Sequence, residues 1–299
     1  MTGRPQYTPY DGSAPLFTIG LTQLDPVDWI EPDDDLDRYL AEKQRLLTSI
    51  PGEVFVAEQG TEDSQAELLA LLADYLPEHH PGYYRRNGMT LHAGSHEVRL
   101  DDRGTPPLLL AGSLVQDDLV IMRKKETGWH LVAGYVAFPS SWSLREKFGL
   151  SMDHIHAPVP DFQEGTRNAG LISRMFDNLP HGRFVRRFNW ALNPDRDLHY
   201  PKSKAEGALP AGSSLKLEDI FARVERQTLR RLPGTADIVF TIRIYTDPLA
   251  MLRNLVDGAA VASAFALQLE ALTAPQLAYK GFTASRDHLV RELRRLAQD

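Results

Sequence analysis

The chain has 299 residues, 42% of them hydrophobic and 24% charged, with a net charge of −7. That length can bury a sizeable core, and the acidic balance argues against a nucleic-acid or anionic-membrane partner, which calls for a basic surface. There is no cysteine, which excludes disulfides, thiolate zinc sites, cysteine nucleophiles and thiolate-held haem or iron–sulfur clusters on this chain, so that a redox metal has only His, carboxylate, Tyr or Met to hold it.

The opening Met1-Thr2-Gly3-Arg4-Pro5-Gln6-Tyr7 has no apolar core of the secretory kind. The longest apolar stretch, 258–272, is interrupted by Gln268 and Glu270 and is too short to span a bilayer. A soluble, cytoplasmic protein is expected. Residues 1–18, rich in Pro, Gly, Thr and Tyr, read as an extended arm on the surface. The acidic run Glu31-Pro32-Asp33-Asp34-Asp35 reads as the cap of a helix over 36–47. Leu68, Leu69, Leu71, Leu72 and Leu76 mark an amphipathic helix over 64–76 that Pro77 and the Pro81-Gly82 pair end.

Strands are predicted over 117–122 and 129–138, joined by the link at 124–128 as a hairpin turn. Ser141 or Ser143 can cap a short helix that Gly149 stops. Pro158 and Pro160 predict an extended 155–160 segment, followed by a helix over 162–179 and a stop at Pro180-His181-Gly182. Further strands are expected over 183–192, 220–229 and 236–245, with a long loop over 193–214. Helices over 248–256, 258–272 and 285–296 finish the chain. The class is α+β, an antiparallel sheet flanked by helices.

Alternation places Arg223, Glu225, Gln227 and Arg231 on one face of the 220–231 strand and Arg226, Thr228 and Arg230 on the other; Arg243 and Tyr245 share a face of the next strand. Such arginines are either solvated cations of a sheet edge or the lining of an anion pocket. Arg186-Arg187, beside Asn189-Trp190, carry the same two readings. Among the ten histidines, His154 and His156 are spaced as neighbours on one strand face, a pair that binds a non-haem metal only with a third ligand. A rigid Pro-x-Pro segment holds an imidazole in one direction, which suits a ligand role for His156. No His-Glu-x-x-His, Gly-x-Gly-x-x-Gly, Walker or Gly-x-Ser-x-Gly sequence is present, so the chain is expected to bind no NAD(P)H or ATP of its own.

Five stretches resemble one family: 129–142 (WHLVAGYVAFPSSW), 144–160 (LREKFGLSMDHIHAPVP), 184–192 (FVRRFNWAL), 224–249 (VERQTLRRLPGTADIVFTIRIYTDPL) and 15–30 (PLFTIGLTQLDPVDWI). They are similar to the haem-dependent oxidative N-demethylase α-subunit family, and the IHAPVP and ERQTLRRLP blocks carry most of the likeness. The resemblance implies a PAS-like sheet over roughly 108–250 in a single domain spanning 1–299, with helical segments 19–80 and 248–299 packed on it. It also implies one haem b on a histidine, here His156, with His154 as the fallback, and O2-dependent demethylation of a small secondary amine to give formaldehyde. Electrons would come from NADPH through a separate flavin and iron–sulfur reductase subunit. For the haem propionates the expected cations are Arg226 and Arg230, then Arg186, Arg187 and Arg243. For the amine and for acid–base work the candidates are Glu225, Asp153 and Tyr245. A haem sensor or carrier without turnover, a non-haem metal protein using His154 and His156, and a member without its cofactor are the other readings.

Overall fold

A computed structural model describes residues 4–203, 206–209 and 216–298. In chain order these form β1 (Thr22–Leu24), α1 (Leu36–Ser49), α2 (Pro51–Val54), β2 (Phe55–Ala57) and α3 (Glu62–His79). There follow β3 (Tyr84–Asn87), β4 (Thr90–Ala93), β5 (His96–Arg99), α4 (Pro107–Gly112), β6 (Asp118–Lys125) and β7 (Gly128–Tyr135). Next come α5 (Leu144–Lys147), α6 (Met152–His156), α7 (Arg167–Asn178), β8 (Phe184–Asn193), β9 (Phe221–Arg231) and β10 (Ile238–Pro248). The chain closes with α8 (Gly258–Ala271), α9 (Ala274–Lys280) and α10 (Arg286–Leu296). Among the described residues, no helix is long and apolar enough to cross a membrane.

The strands build a seven-stranded antiparallel sheet in the order β1-β8-β9-β10-β6-β7-β2, and β3-β4-β5 form a separate small sheet. The long strands fall within a few residues of their sequence signals, because β-branched and aromatic residues run through them. The β6–β7 hairpin pairs Lys125 with Gly128, so its turn is only Glu126-Thr127, and the register shifts between Ile121 and Met122. The three- and four-residue strands β1 to β5 are too short to show an alternation.

The two faces of the sheet differ in what covers them. On the front face, Val120, Met122, Leu131, Leu229 and Ile238 pack against Phe162 and α7 through Ile172 and Phe176. Leu119, Ile121, Ala133 and Val239 point to the back, where Leu68 and Leu72 of α3 and Leu108 of α4 cover them. The back of the β8–β9 end is closed by α8 and α10, with Trp190, Leu192 and Val224 against Phe265, Leu269 and Leu293.

Three expectations need correction. The N-terminal arm does not lie on the surface at Tyr10, which is 1% exposed and stacks on Phe265 with ring centroids 4.4 Å apart. Pro77 does not end α3, which runs on to His79. Proline cannot donate to the carbonyl four residues back, but that carbonyl, Ala73 O, accepts from Arg86 Nη1 at 3.4 Å instead. The acidic run supplies Asp35 at the N-cap position of α1 without a side-chain cap bond. Its Glu31 and Asp33 carboxylates reach the sheet instead, pairing with Arg226 and Arg243 at 3.0 and 2.7 Å.

Candidate functional site

His156 stands on a helix, not on the extended segment that two prolines predicted. Ser151 is extended, at φ −70° and ψ 158°, and its Oγ accepts from His154 N, which starts α6. Pro158 and Pro160 only limit how far the turn extends. On a helix, positions 154 and 156 point about 200° apart. His154 is exposed and pairs its Nδ1 with Ser151 Oγ at 2.7 Å. His156 is half-buried, stacks on Phe162 and holds its Nδ1 2.9 Å from Met152 O. A carbonyl can only accept, so the proton sits on Nδ1. Nε2 has no hydrogen-bond partner among the described residues. Burial pushes the His156 pKa down, the bond to Met152 opposes this, and the charges of Arg187 and Lys147 depress it further. The result is a neutral imidazole with one free lone pair.

The two histidines therefore do not share a face, and among the described residues no group of three His, Asp or Glu converges to hold a metal ion.

The part of the front face next to α6 is polar. The β8–β9 register sets Arg187 opposite Gln227 and Asn189 opposite Glu225. Arg187, Asn189 and Gln227 are only half-buried although they lie mid-strand, and Glu225 is buried with Gln227 Nε2 donating to its Oε2 at 2.6 Å. Arg187 has a buried Nε and makes no hydrogen bond to any described residue. Burial lowers its pKa, and the nearby charge of Glu225 works against that. Around these groups, half-buried apolar side chains ring the front cluster: Phe148, Met152, Val159, Met175 and Phe240, joined by Phe17 from the arm. A half-buried guanidinium without a hydrogen-bond partner among the described residues, beside half-buried apolar side chains, suits a ligand that is apolar and carries an anionic group. Lys147 Nζ, 3.2 Å from Ile155 O, adds a second cation beside α6.

One front-face residue carried no sequence signal. Tyr279, the penultimate residue of α9, is half-buried near Glu225 and Arg187, and burial raises its hydroxyl pKa to about 12. It lies on a helix 31 residues beyond the end of the last strand, Pro248, so alternation could not find it.

The remaining expected residues lie elsewhere. Arg226, Arg230, Arg243, Arg186 and Tyr245 sit on the back face, and the structure does not bring them together with His156. Arg226 donates to Trp29 O at 3.1 Å and to Asp28 O, besides its ion pair with Glu31. Arg230 lies 4.4 Å over both Trp29 and Phe184. Arg243 is sandwiched between the rings of Tyr39 and Tyr245, at 4.1 and 4.7 Å. Arg186 lies over Phe188, and Tyr245 donates to Glu31 at 3.0 Å. On the front, Arg223 is fully buried and spends its donors on Phe138, Pro139, Asp197 and Leu198 carbonyls and Ser140 Oγ. Asp153 sits in the first turn of α6, near enough to His156 to oppose slightly the fall in its pKa. A pocket of about 500 Å³ between β2, the start of α3 and residues 103–107 shares no residue with this group.

Compared with known proteins, the chain matches over residues 20–290 the sequence model of a family described as haem-dependent oxidative N-demethylase, alpha subunit-like.

Proposed function

The chain belongs to the haem-dependent oxidative N-demethylase, alpha subunit-like family, and on that premise we propose that it is an oxygenase subunit holding one haem b. In this reading it removes a methyl group from a small secondary amine, dimethylamine or a close analogue, in an O2-dependent reaction that releases formaldehyde. The observation that carries the reading is His156, neutral, fixed at Nδ1 by Met152 O and free at Nε2. A histidine that is to hold iron needs that tautomer and that fixed ring. His156 would ligate the iron, Phe148, Met152 and Phe240 would flank the porphyrin, and Arg187, with Lys147 nearby, would meet its carboxylates. Arg226, Arg230, Arg243 and Arg186 are assigned instead to the back face.

Bound haem supplies the site for O2 activation, with electrons arriving from NADPH through a separate flavin and iron–sulfur reductase subunit. That division suits a chain with no cysteine and no dinucleotide motif. An imidazole ligand gives less electronic push than a thiolate, so the protein's own polar groups carry more of the work. Glu225 would accept an N–H of the cationic amine at Oε1 and hold the substrate by that charge-assisted bond. Asp153 is a second carboxylate on the His156 side, and Tyr245 is left to hold Glu31.

The core reads as PAS-like. Of β6 to β10, the order across the sheet is second, first, fifth, fourth, third, with α5 to α7 inserted after the second. Residues 1–299 are taken as a single cytoplasmic unit. The test supplies haem-loaded protein with a flavin and iron–sulfur reductase, NADPH, O2 and dimethylamine. Formaldehyde release that falls at least tenfold in Glu225→Gln is expected. No formaldehyde from dimethylamine or other small N-methylamines would overturn the enzymatic reading.

A further inference from the structure

Glu225 and Arg187 share the front face and Tyr279 lies close enough to feel both charges, and each presents an atom without a hydrogen-bond partner among the described residues. Glu225 on β9 uses Oε2 on Gln227 and leaves Oε1 free among the described residues. Arg187 on β8 makes no hydrogen bond there, and neither does the Tyr279 hydroxyl on α9. The position of Tyr279 is fixed by its neighbours. Lys280 Nζ donates to Trp190 O at 2.5 Å, which pins the end of α9 to the edge of β8, one residue from Asn189, the partner of Glu225. The Tyr279 ring meets Phe17 edge-on at 5.9 Å, and Phe17 packs on both the front cluster and the C-terminal one. Burial keeps the hydroxyl protonated, so its oxygen can accept while its proton is turned elsewhere.

We infer that Tyr279 and Glu225 act together as a two-acceptor clamp that selects secondary amines over tertiary ones. The inference rests on the functional reading above and goes beyond it by naming what sets the substrate class. A protonated secondary amine carries two N–H donors, one for Glu225 Oε1 and one for the Tyr279 oxygen. A protonated tertiary amine carries one, which goes to the charged acceptor, and a quaternary ammonium carries none. Tyr279 is a positioning and specificity residue; it exchanges no proton with the substrate.

The experiment titrates haem-loaded wild type and Tyr279→Phe with dimethylamine, trimethylamine and tetramethylammonium, reading affinity by calorimetry. The wild type should bind the three in that falling order. Tyr279→Phe should lose about tenfold in affinity for dimethylamine, the size of one hydrogen bond to a charged group, and change by less than about twofold for trimethylamine. Equal losses for both amines, or no loss for either, would overturn the inference while leaving the functional reading in place. A wild type that binds trimethylamine or tetramethylammonium as tightly as dimethylamine would overturn it without recourse to the variant. A wild type that binds none of the three would overturn both.

Discussion

One hydrogen bond sets the tautomer of His156, and burial sets its charge. Burial and the charges of Arg187 and Lys147 disfavour protonation of Nε2 against the opposing bond from Nδ1–H to Met152 O, and the pKa lies below its ordinary 6.5. The sign follows from competition between proton and iron for one lone pair. Above the folded pKa the site is neutral and haem affinity is flat with pH; below it, affinity falls about tenfold per pH unit. Haem titrations should therefore lose less affinity between pH 7.5 and 6.5 than the roughly twofold expected of an unperturbed histidine, half protonated at 6.5. A loss of twofold or more over that interval would contradict the depressed pKa. At Arg187 the expectation is separate: Arg187→Met should weaken haem retention about tenfold or more through loss of a charge-assisted bond, with little change in thermal unfolding of the protein without haem. The sequence pointed to His156 through its resemblance but not to its tautomer, which depends on a carbonyl four residues back. It offered nothing for Tyr279, whose place depends on how α9 meets the edge of β8.

Among the elements, α6 shows how a strong local rule can be outweighed by a quieter one. Pro158 and Pro160 argued for extended chain, yet Ala157, just before Pro158, stays helical at φ −50° and ψ −35°. The opposing signal was Ser151, a good N-cap residue five positions before His156. Because Met152 O reaches His156 Nδ1 only when this turn is helical, Ser151→Ala should cost about 1 kcal/mol. The measurable consequence is faster haem dissociation with the spectrum of the bound form unchanged; an unchanged dissociation rate would mean that the cap does not support the ligand. The strand pattern was legible in the same partial way. Alternation sorted Glu225 from Arg226 and Arg230 correctly by face, but which face α6 covers depends on contacts made far along the chain. The arginines nearest Glu225 in sequence therefore looked like site residues, while the front-face guanidinium without a hydrogen-bond partner among the described residues belongs to β8.

Across the whole molecule the sheet divides its work between two faces. The back holds the N-terminal layer through Arg226 to Glu31 and Arg243 to Asp33, and through Lys43, fully buried, which donates to Gly112 O and Val115 O at 3.0 and 2.9 Å and to Asp117 O. The charge of Lys43 also reaches Asp118, opposing the burial that pushes this carboxyl up to about 6. Arg243→Met should lower stability by about 1.5–3 kcal/mol, the worth of hydrogen bonds to a charged group, in urea unfolding, while leaving haem stoichiometry at one. Lys43→Met should cost more, about 3–5 kcal/mol, because Asp118 is left buried without its counter-charge. The claim on which the rest depends is that His156 holds haem on the front face. The absorption spectrum of haem-supplemented wild type beside His156→Ala tests it most directly. A sharp Soret band in the wild type that is lost or shifted in His156→Ala, with both proteins folded by circular dichroism, is the predicted result. Identical Soret bands in the two proteins, or none in the wild type with haem in excess, would contradict it.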